Sequence, residues 1–322
     1  MTTHPTRRRF IAISAAAVGM AALPAAAAVS PFVWRGVALG ARASLTLYHP
    51  EAAKAREGAE AAIAEVRRLE KVFSLYQADS ALSRLNRLGV LTAPPLDLVR
   101  CLDDAIRFGT LTEGAFDVTV QPLWTLYAGH FSRPDADPAG PPPEAIEAAR
   151  ALVDFTGIEA DEARIALRRS GMSITLNGIA QGYITDRVAE ILRGHGFENV
   201  LVDLGEIRAL GAKPDGSPWR AGIRDPHGAS KPIRAVDLRD RAIATSGGYG
   251  TWFDRKKRHH HLFDPKTGRS ASYWASVSVI AKDATTSDAL STAFSSMPKN
   301  EIDEISRRMD VVALVERPLP RS

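Results

Sequence analysis

Residues 172–210 read MSITLNGIAQGYITDRVAEILRGHGFENVLVDLGEIRAL. Met172, Ile174 and Leu176 alternate with polar residues, which predicts a strand. Asn177-Gly178 is a tight turn. From about Ala180 to Arg193 the apolar positions recur at helical spacing, and Gly194 and Gly196 end the helix. Strands follow at 199–204 and 207–211. A strand–turn–helix opening can begin a doubly wound sheet, but here the next segments, 219–224, 233–238 and 242–245, are strands in succession. Strands and helices mix without strict alternation, so the fold class is α+β.

The flanks agree. Residues 37–48 alternate and predict a strand. In 51–73, Ile63, Val66, Leu69 and Phe73 recur every three or four positions, as on one face of a helix. Helices are expected over 96–108, 144–155, 287–297 and 300–309, and strands over 274–281 and 311–316. Residues 133–143 are rich in Pro, Asp and Gly and predict an exposed loop. No short-period repeat is present.

The first residues read differently from this fold. Arg7-Arg8-Arg9-Phe10-Ile11 precedes an Ala-rich apolar stretch and then Ala25-Ala26-Ala27-Ala28, which offers an A-x-A cleavage site. Residues 1–28 therefore read as an export signal of the twin-arginine type, and residues 29–322 as the folded chain in the periplasm. The first 28 residues hold three Arg and no acids, so the rest of the chain carries +1 rather than +4. With no basic stripe interleaved with aromatics, nucleic acid is not an expected partner. Cys101 is the single cysteine, which excludes an internal disulfide. It lies on an apolar helical stripe and reads as a small buried hydrophobe.

Several constellations suggest chemistry. Asp288 and Thr292 are four apart, so on a helix their oxygens lie one turn apart on one face. That hard, oxygen-only pair suits Mg²⁺; it equally fits an aspartate favouring the helix dipole beside a packed threonine. Backbone N–H groups after Asn177-Gly178 can hold phosphate oxygens, and an exposed carbonyl there can ligate a metal. The turn is neither a P-loop nor a G-x-G-x-x-G fingerprint, and a plain turn explains it as well. In 114–120, Phe116 can cover an aromatic ring and Asp117 can accept from a flavin edge, or the stretch is a loop with one core aromatic. Thr245-Ser246-Gly247-Gly248 admits a close ligand or makes a hairpin turn. Residues 258–268, RHHHLFDPKTG, leave three readings open: a metal pair His259 and His261, a neutral general base near Asp264, or a polar strand end.

The order of these segments is more telling than any one of them. Phe73-Ser74-Leu75-Tyr76, Gly114-Ala115-Phe116-Asp117-Val118-Thr119, Gly178-Ile179-Ala180-Gln181-Gly182-Tyr183, Ala244-Thr245-Ser246-Gly247, His261-Leu262-Phe263-Asp264-Pro265-Lys266-Thr267-Gly268 and Asp288-Ala289-Leu290-Ser291-Thr292 resemble the ApbE family of FAD:protein FMN transferases. The likeness runs from about residue 36 to 316. Trp34–Ala41, Gln121–Trp124 and Asp203–Arg208 look like the exported NosX branch that accompanies nitrous oxide reductase. The resemblance implies one two-lobed α+β domain with FAD between the lobes. It implies Mg²⁺-dependent transfer of FMN from FAD to a Thr or Ser hydroxyl of a membrane-associated flavoprotein of nitrous oxide respiration, with release of AMP. It carries over the main-chain carbonyl of Gly178, Asp288 and Thr292 as Mg²⁺ ligands and His261 as the base. Leu39, Tyr76, Ala115, Phe116, Asp117, Thr175, Gln181 and Leu262 become the cofactor contacts. Three positions depart from the family: Gln181 replaces a usual Lys, Thr175 a frequent Asp, and Gly205-Glu206 a usual Gly-Gly-Asp. Two other activities use the same residues, namely an FAD pyrophosphatase and a non-enzymatic FAD carrier.

Overall fold

The computed structural model of the protein describes residues 30–38 and 41–318. The expected export signal and Leu39 lie outside the described residues. The chain enters with β1 (Phe32–Ala38) and β2 (Ala41–Leu47), then α1 (Ala52–Phe73) and α2 (Ala81–Leu88). β3 (Val90–Thr92), α3 (Leu96–Leu111), α4 (Gln121–Phe131) and α5 (Pro143–Arg150) follow, then β4 (Ile158–Ala160) and β5 (Arg164–Leu167). The second half runs α6 (Ala180–Gly194), β6 (Val200–Asp203), β7 (Ile207–Leu210), β8 (Trp219–Ile223), β9 (Arg234–Leu238) and β10 (Ala242–Gly247). It ends with β11 (Phe263–Asp264), β12 (Arg269–Ser270), β13 (Ser276–Ala281), α7 (Ala284–Phe294), α8 (Lys299–Met309) and β14 (Val312–Glu316).

A seven-stranded sheet in the order β1-β2-β6-β7-β10-β13-β14 is the frame. Every neighbouring pair is antiparallel, so the α+β expectation holds. One face, with Val200, Val202, Val277 and Val279, packs on α1, α6 and α7. The other face, with Ile207, Ala209, Ile243 and Ile280, is covered by Trp219, Ala221, Ile223 and Leu238 of the β8–β9 hairpin. All six residues of β13 are buried, as a strand covered on both faces requires. The helix-side core continues without a break into α3 and the β3-β5-β4 sheet through Leu98, Leu102, Leu91 and Ile165. The two lobes anticipated from the resemblance therefore share one core. A smaller cluster of Leu123, Tyr127, Ile146 and Phe263 ties α4 and α5 to β11. No helix among the described residues is long and apolar enough to cross a membrane.

Three elements differ from expectation. Residues 37–48 are not one strand: they take the end of β1 and all of β2, a hairpin paired from Phe32↔Leu47 inward. Residues 172–176 join no sheet. The alternation of buried Met172, Ile174 and Leu176 is real, but the backbone is held by the Asn86 amide. Its Nδ2 donates to the Ile174 carbonyl (2.8 Å) and its Oδ1 accepts from the Ile174 N–H (2.7 Å). The Thr175 N–H donates to the Val118 carbonyl. A side chain thus does the work of a neighbouring strand. The helix expected over 144–155 stops at Arg150, and Phe155–Gly157 is a separate 3-10 turn capped by Asp154. Cys101 is buried, and burial pushes its thiol pKa up, as a small core residue should be.

Candidate active site

The site is a ladder built by α6, α7 and the strand ends beneath them. On the lowest rung, Asp186 of α6 accepts from the Ala284 and Thr285 N–H groups at the start of α7 and from the Thr285 hydroxyl. Arg208 of β7 pairs with the same carboxylate at 2.7 Å. Four helix residues rise about 6 Å, and two strand residues cover about 6.6 Å. A rung up, the Gly182 N–H donates to Asp288 Oδ2 at 3.0 Å, and Glu206, in the bend just before β7, feels the Asp288 charge. One rung further, Gly178 meets Thr292, where a Cβ on the glycine would lie 2.9 Å from Thr292 Oγ1. Ser246, at the end of β10, is 3.2 Å from Thr292 Oγ1 and 2.8 Å from Ser291 Oγ.

Glycine permits the close approach: a Cβ on Gly182 would lie 2.4 Å from the Ala284 carbonyl oxygen. Gly182 is the third residue of α6 after the Ile179 cap, so its N–H has no acceptor within the helix and is taken by Asp288, while the Gly178 carbonyl stands ahead of the cap. The expected trio of Gly178, Asp288 and Thr292 is therefore brought together by two helices distant in sequence.

The electrostatics of this rung suit a cation. Asp288 is 4% exposed. Burial and then the charge of Asp186 push its pKa up to about 7, against the Gly182 N–H. Glu206 is raised well above the carboxylate range by burial, then by Asp288 and Asp203, while the Thr245 N–H opposes. Its Oε2 is buried with no hydrogen-bond partner. Buried carboxylates without a counter-charge, beside a hydroxyl and an amide-free carbonyl, are what a hard divalent ion would satisfy. Among the described residues no three His, Cys, Asp or Glu side chains form a metal cluster, so the donor set must draw on hydroxyl and carbonyl oxygens.

A cleft of about 380 Å³ opens beside the ladder, lined by Tyr76, Asn86, Gln121, Trp124, Ser173 and Asn177 among others. Of these lining residues, Asn177 is the sequence neighbour of Gly178 on the upper rung. Tyr76 is 66% exposed at its mouth. Thr175 is half-buried, and by the same alternation as Ser173 and Asn177 it faces the cleft side. Gln181 Nε2 contacts the Leu204 carbonyl at 3.4 Å and packs on Gly205; it lies against the β6–β7 turn. Leu262 is half-buried and its carbonyl accepts from the Ala271 N–H.

The 114–119 stretch is turned inward. Phe116 is 2% exposed and meets Phe108 edge-on, so it covers no open ring surface here. Ala115 is buried as well. Asp117 takes the Thr119 N–H and hydroxyl on one oxygen and the Phe155 N–H on the other, and burial lifts its pKa to about 6. As placed, these residues are packed inward, and a flavin edge would have to reach Asp117 Oδ2, which so far accepts only the Phe155 N–H.

The histidines separate. His259 packs on Tyr127 and Phe131. His260 is buried against Gly248 and Trp252, with Nε2 2.9 Å from the Ala271 carbonyl. His261 Nδ1 lies 3.3 Å from the Thr251 carbonyl. A neutral ring must place its proton on Nδ1 to make that bond, which leaves the Nε2 lone pair free. Dense packing around the ring pushes its pKa down to about 4. The triplet is thus two packing rings and one neutral imidazole, not a metal cluster. The residues read too lightly were Asp186 and Ser246, visible only as polar residues inside quoted segments, and Asn86, outside all of them; the partners of all three are remote in sequence.

The family model described as ApbE family matches residues 39–315. The chain is 36% identical over 236 residues to an FAD:protein FMN transferase of Vibrio cholerae, covering 70% of each chain. It is 35% identical to one from Treponema pallidum, covering 70% of this chain and 67% of that one. A crystal structure of the ApbE protein of Thermotoga maritima superposes with a TM-score of 0.77 at 30% identity, over 89% of this chain and 94% of that one. The flavin transferase ApbE of Vibrio cholerae superposes with a TM-score of 0.76 at 29% identity, over 89% and 93%.

Proposed function

The chain belongs to the ApbE family and is an FAD:protein FMN transferase, and we propose that it performs the transfer on the α6–α7 ladder. FAD would lie in the cleft lined by Tyr76 with its pyrophosphate over the upper rung. Asp288, Thr292 and the Gly178 carbonyl would hold Mg²⁺. When bound, that ion supplies positive charge against the pyrophosphate and its leaving group. The acceptor Thr or Ser oxygen attacks the FMN-side phosphorus; the bond to the bridging oxygen breaks and AMP leaves with that oxygen. His261 Nε2 takes the hydroxyl proton. The ring is half-buried, dense packing accounts for its low pKa, and a nearby phosphate charge would raise it.

The observation that carries this reading is the rung itself. Gly182 gives its N–H to a buried Asp288, while Gly178 is pressed on Thr292 and only a glycine fits. The twin-arginine pattern of the first residues supports export to the periplasm. The likeness to the NosX branch supports a membrane-associated acceptor of nitrous oxide respiration. The test is mass spectrometry of a candidate acceptor peptide after incubation with the protein, FAD and Mg²⁺. Gain of one FMN is expected. Release of free FMN and AMP without acceptor makes the protein a pyrophosphatase, and FAD retained intact makes it a carrier; either overturns the proposal.

A further inference from the structure

Glu206 is a carboxylate without a task in the fold. It is 6% exposed, and its Oε2 has no hydrogen-bond partner. Leaving such a group buried without a partner is costly, so an unexplained one implies a missing partner. Its placement is narrow. The β6–β7 turn rests on Gln181 through Gly205, one residue before Gly182, whose N–H binds Asp288. On the other side the Thr245 N–H reaches Glu206, and Thr245 adjoins Ser246, which contacts Thr292. Glu206 stands in the bend just before β7, two residues from Arg208, which pairs with Asp186 one rung below Asp288. Glu206 is therefore enclosed by the residues that carry Asp288 and Thr292. No basic side chain is bonded to either Asp288 or Glu206 among the described ion pairs, whereas Asp186 has Arg208.

We propose that Glu206 is a second carboxylate of the cation pocket, binding the divalent ion directly or through one bound water together with Asp288 and Thr292. The inference rests on the cation reading of the previous section and deepens it. Two carboxylates neutralise a divalent ion, where Asp288 alone leaves one positive charge. A cation placed between the two carboxylates would offset their mutual repulsion.

Mn²⁺ binding to the folded protein without FAD, read by electron paramagnetic resonance, tests this alongside thermal unfolding with and without Mn²⁺. Wild type should bind one ion, and Asp288→Ala none. Glu206→Gln keeps the shape and a side-chain oxygen to accept from the Thr245 N–H. It should bind at least ten-fold more weakly, with an unfolding temperature that no longer rises when Mn²⁺ is added. Unaltered Mn²⁺ affinity in Glu206→Gln, with binding lost in Asp288→Ala, overturns the role of Glu206 and leaves the cation site standing. Loss of stability without Mn²⁺ at unaltered affinity also overturns it, as a structural role. If wild type takes up no Mn²⁺, or Asp288→Ala binds as wild type does, the underlying cation reading fails instead.

Discussion

At the scale of single residues the account turns on two groups, a carboxylate made costly by burial and an imidazole kept neutral by it. Asp288 has its pKa raised to about 7, so its protonated form favours the folded state. That stability is present below the unfolded carboxyl value and is lost as pH rises through about 7. In metal-free buffer Asp288→Asn should therefore gain on wild type by roughly 1 kcal/mol per pH unit between about pH 4 and pH 7 and level off above neutrality, measured by urea unfolding. Added Mg²⁺ should stabilise wild type and not the variant; a gap independent of pH contradicts the placement. His261→Ala should lower the transfer rate by about 10²–10⁴-fold, the usual worth of a positioned base, while FAD binding followed by flavin fluorescence stays within about two-fold. A collapse of FAD affinity would make the ring a binding group. Both residues were legible as candidates from spacing and resemblance. Their states were not, because burial and the Thr251 carbonyl come from the fold.

At the scale of elements the long amphipathic segments announced themselves. α1 buries Ala59, Ala62, Val66 and Leu69 along one stripe, with Ile63 half-buried at its margin. α7 sinks Leu290 and Phe294 completely, worth about 1.5–3 kcal/mol each. α2 was missed despite its signals, a Ser80 cap on the Ser83 N–H and Gly89 in the left-handed conformation. Strands β3 to β5 are too short to show a period, and α4 lacks a clear apolar stripe. The 172–176 segment shows why a correct pattern can name the wrong element: alternation reports which side chains are buried, not what bonds the backbone. Asn86→Ala should cost about 2–3 kcal/mol, two hydrogen bonds with the Ile174 groups left unpaired, read as a lower urea midpoint. Because the same segment leads to Gly178, FAD binding should weaken with it. Stability equal to wild type would mean that another group holds the strand-like stretch.

At the scale of the whole molecule, the α+β class followed from the order of strands and helices, but the sheet order did not. Nothing local places β2 beside β6, or β10 between β7 and β13. Those pairings close the ladder, since they bring Ser246, Glu206 and Arg208 under α6 and α7. The family resemblance supplied the residues of the site, and the shared core explains how segments more than one hundred positions apart keep register there: Gly182 and Asp288 meet because Asp186 anchors the first turn of α7. The central claim is that this junction holds a divalent ion against the pyrophosphate of FAD. A crystal soaked with FAD and Mn²⁺ tests it most directly through the anomalous signal of the metal. The account predicts one peak within coordination distance of the Gly178 carbonyl, Asp288 and Thr292, touching the pyrophosphate. A pyrophosphate bound elsewhere, or a peak remote from Asp288, would contradict it.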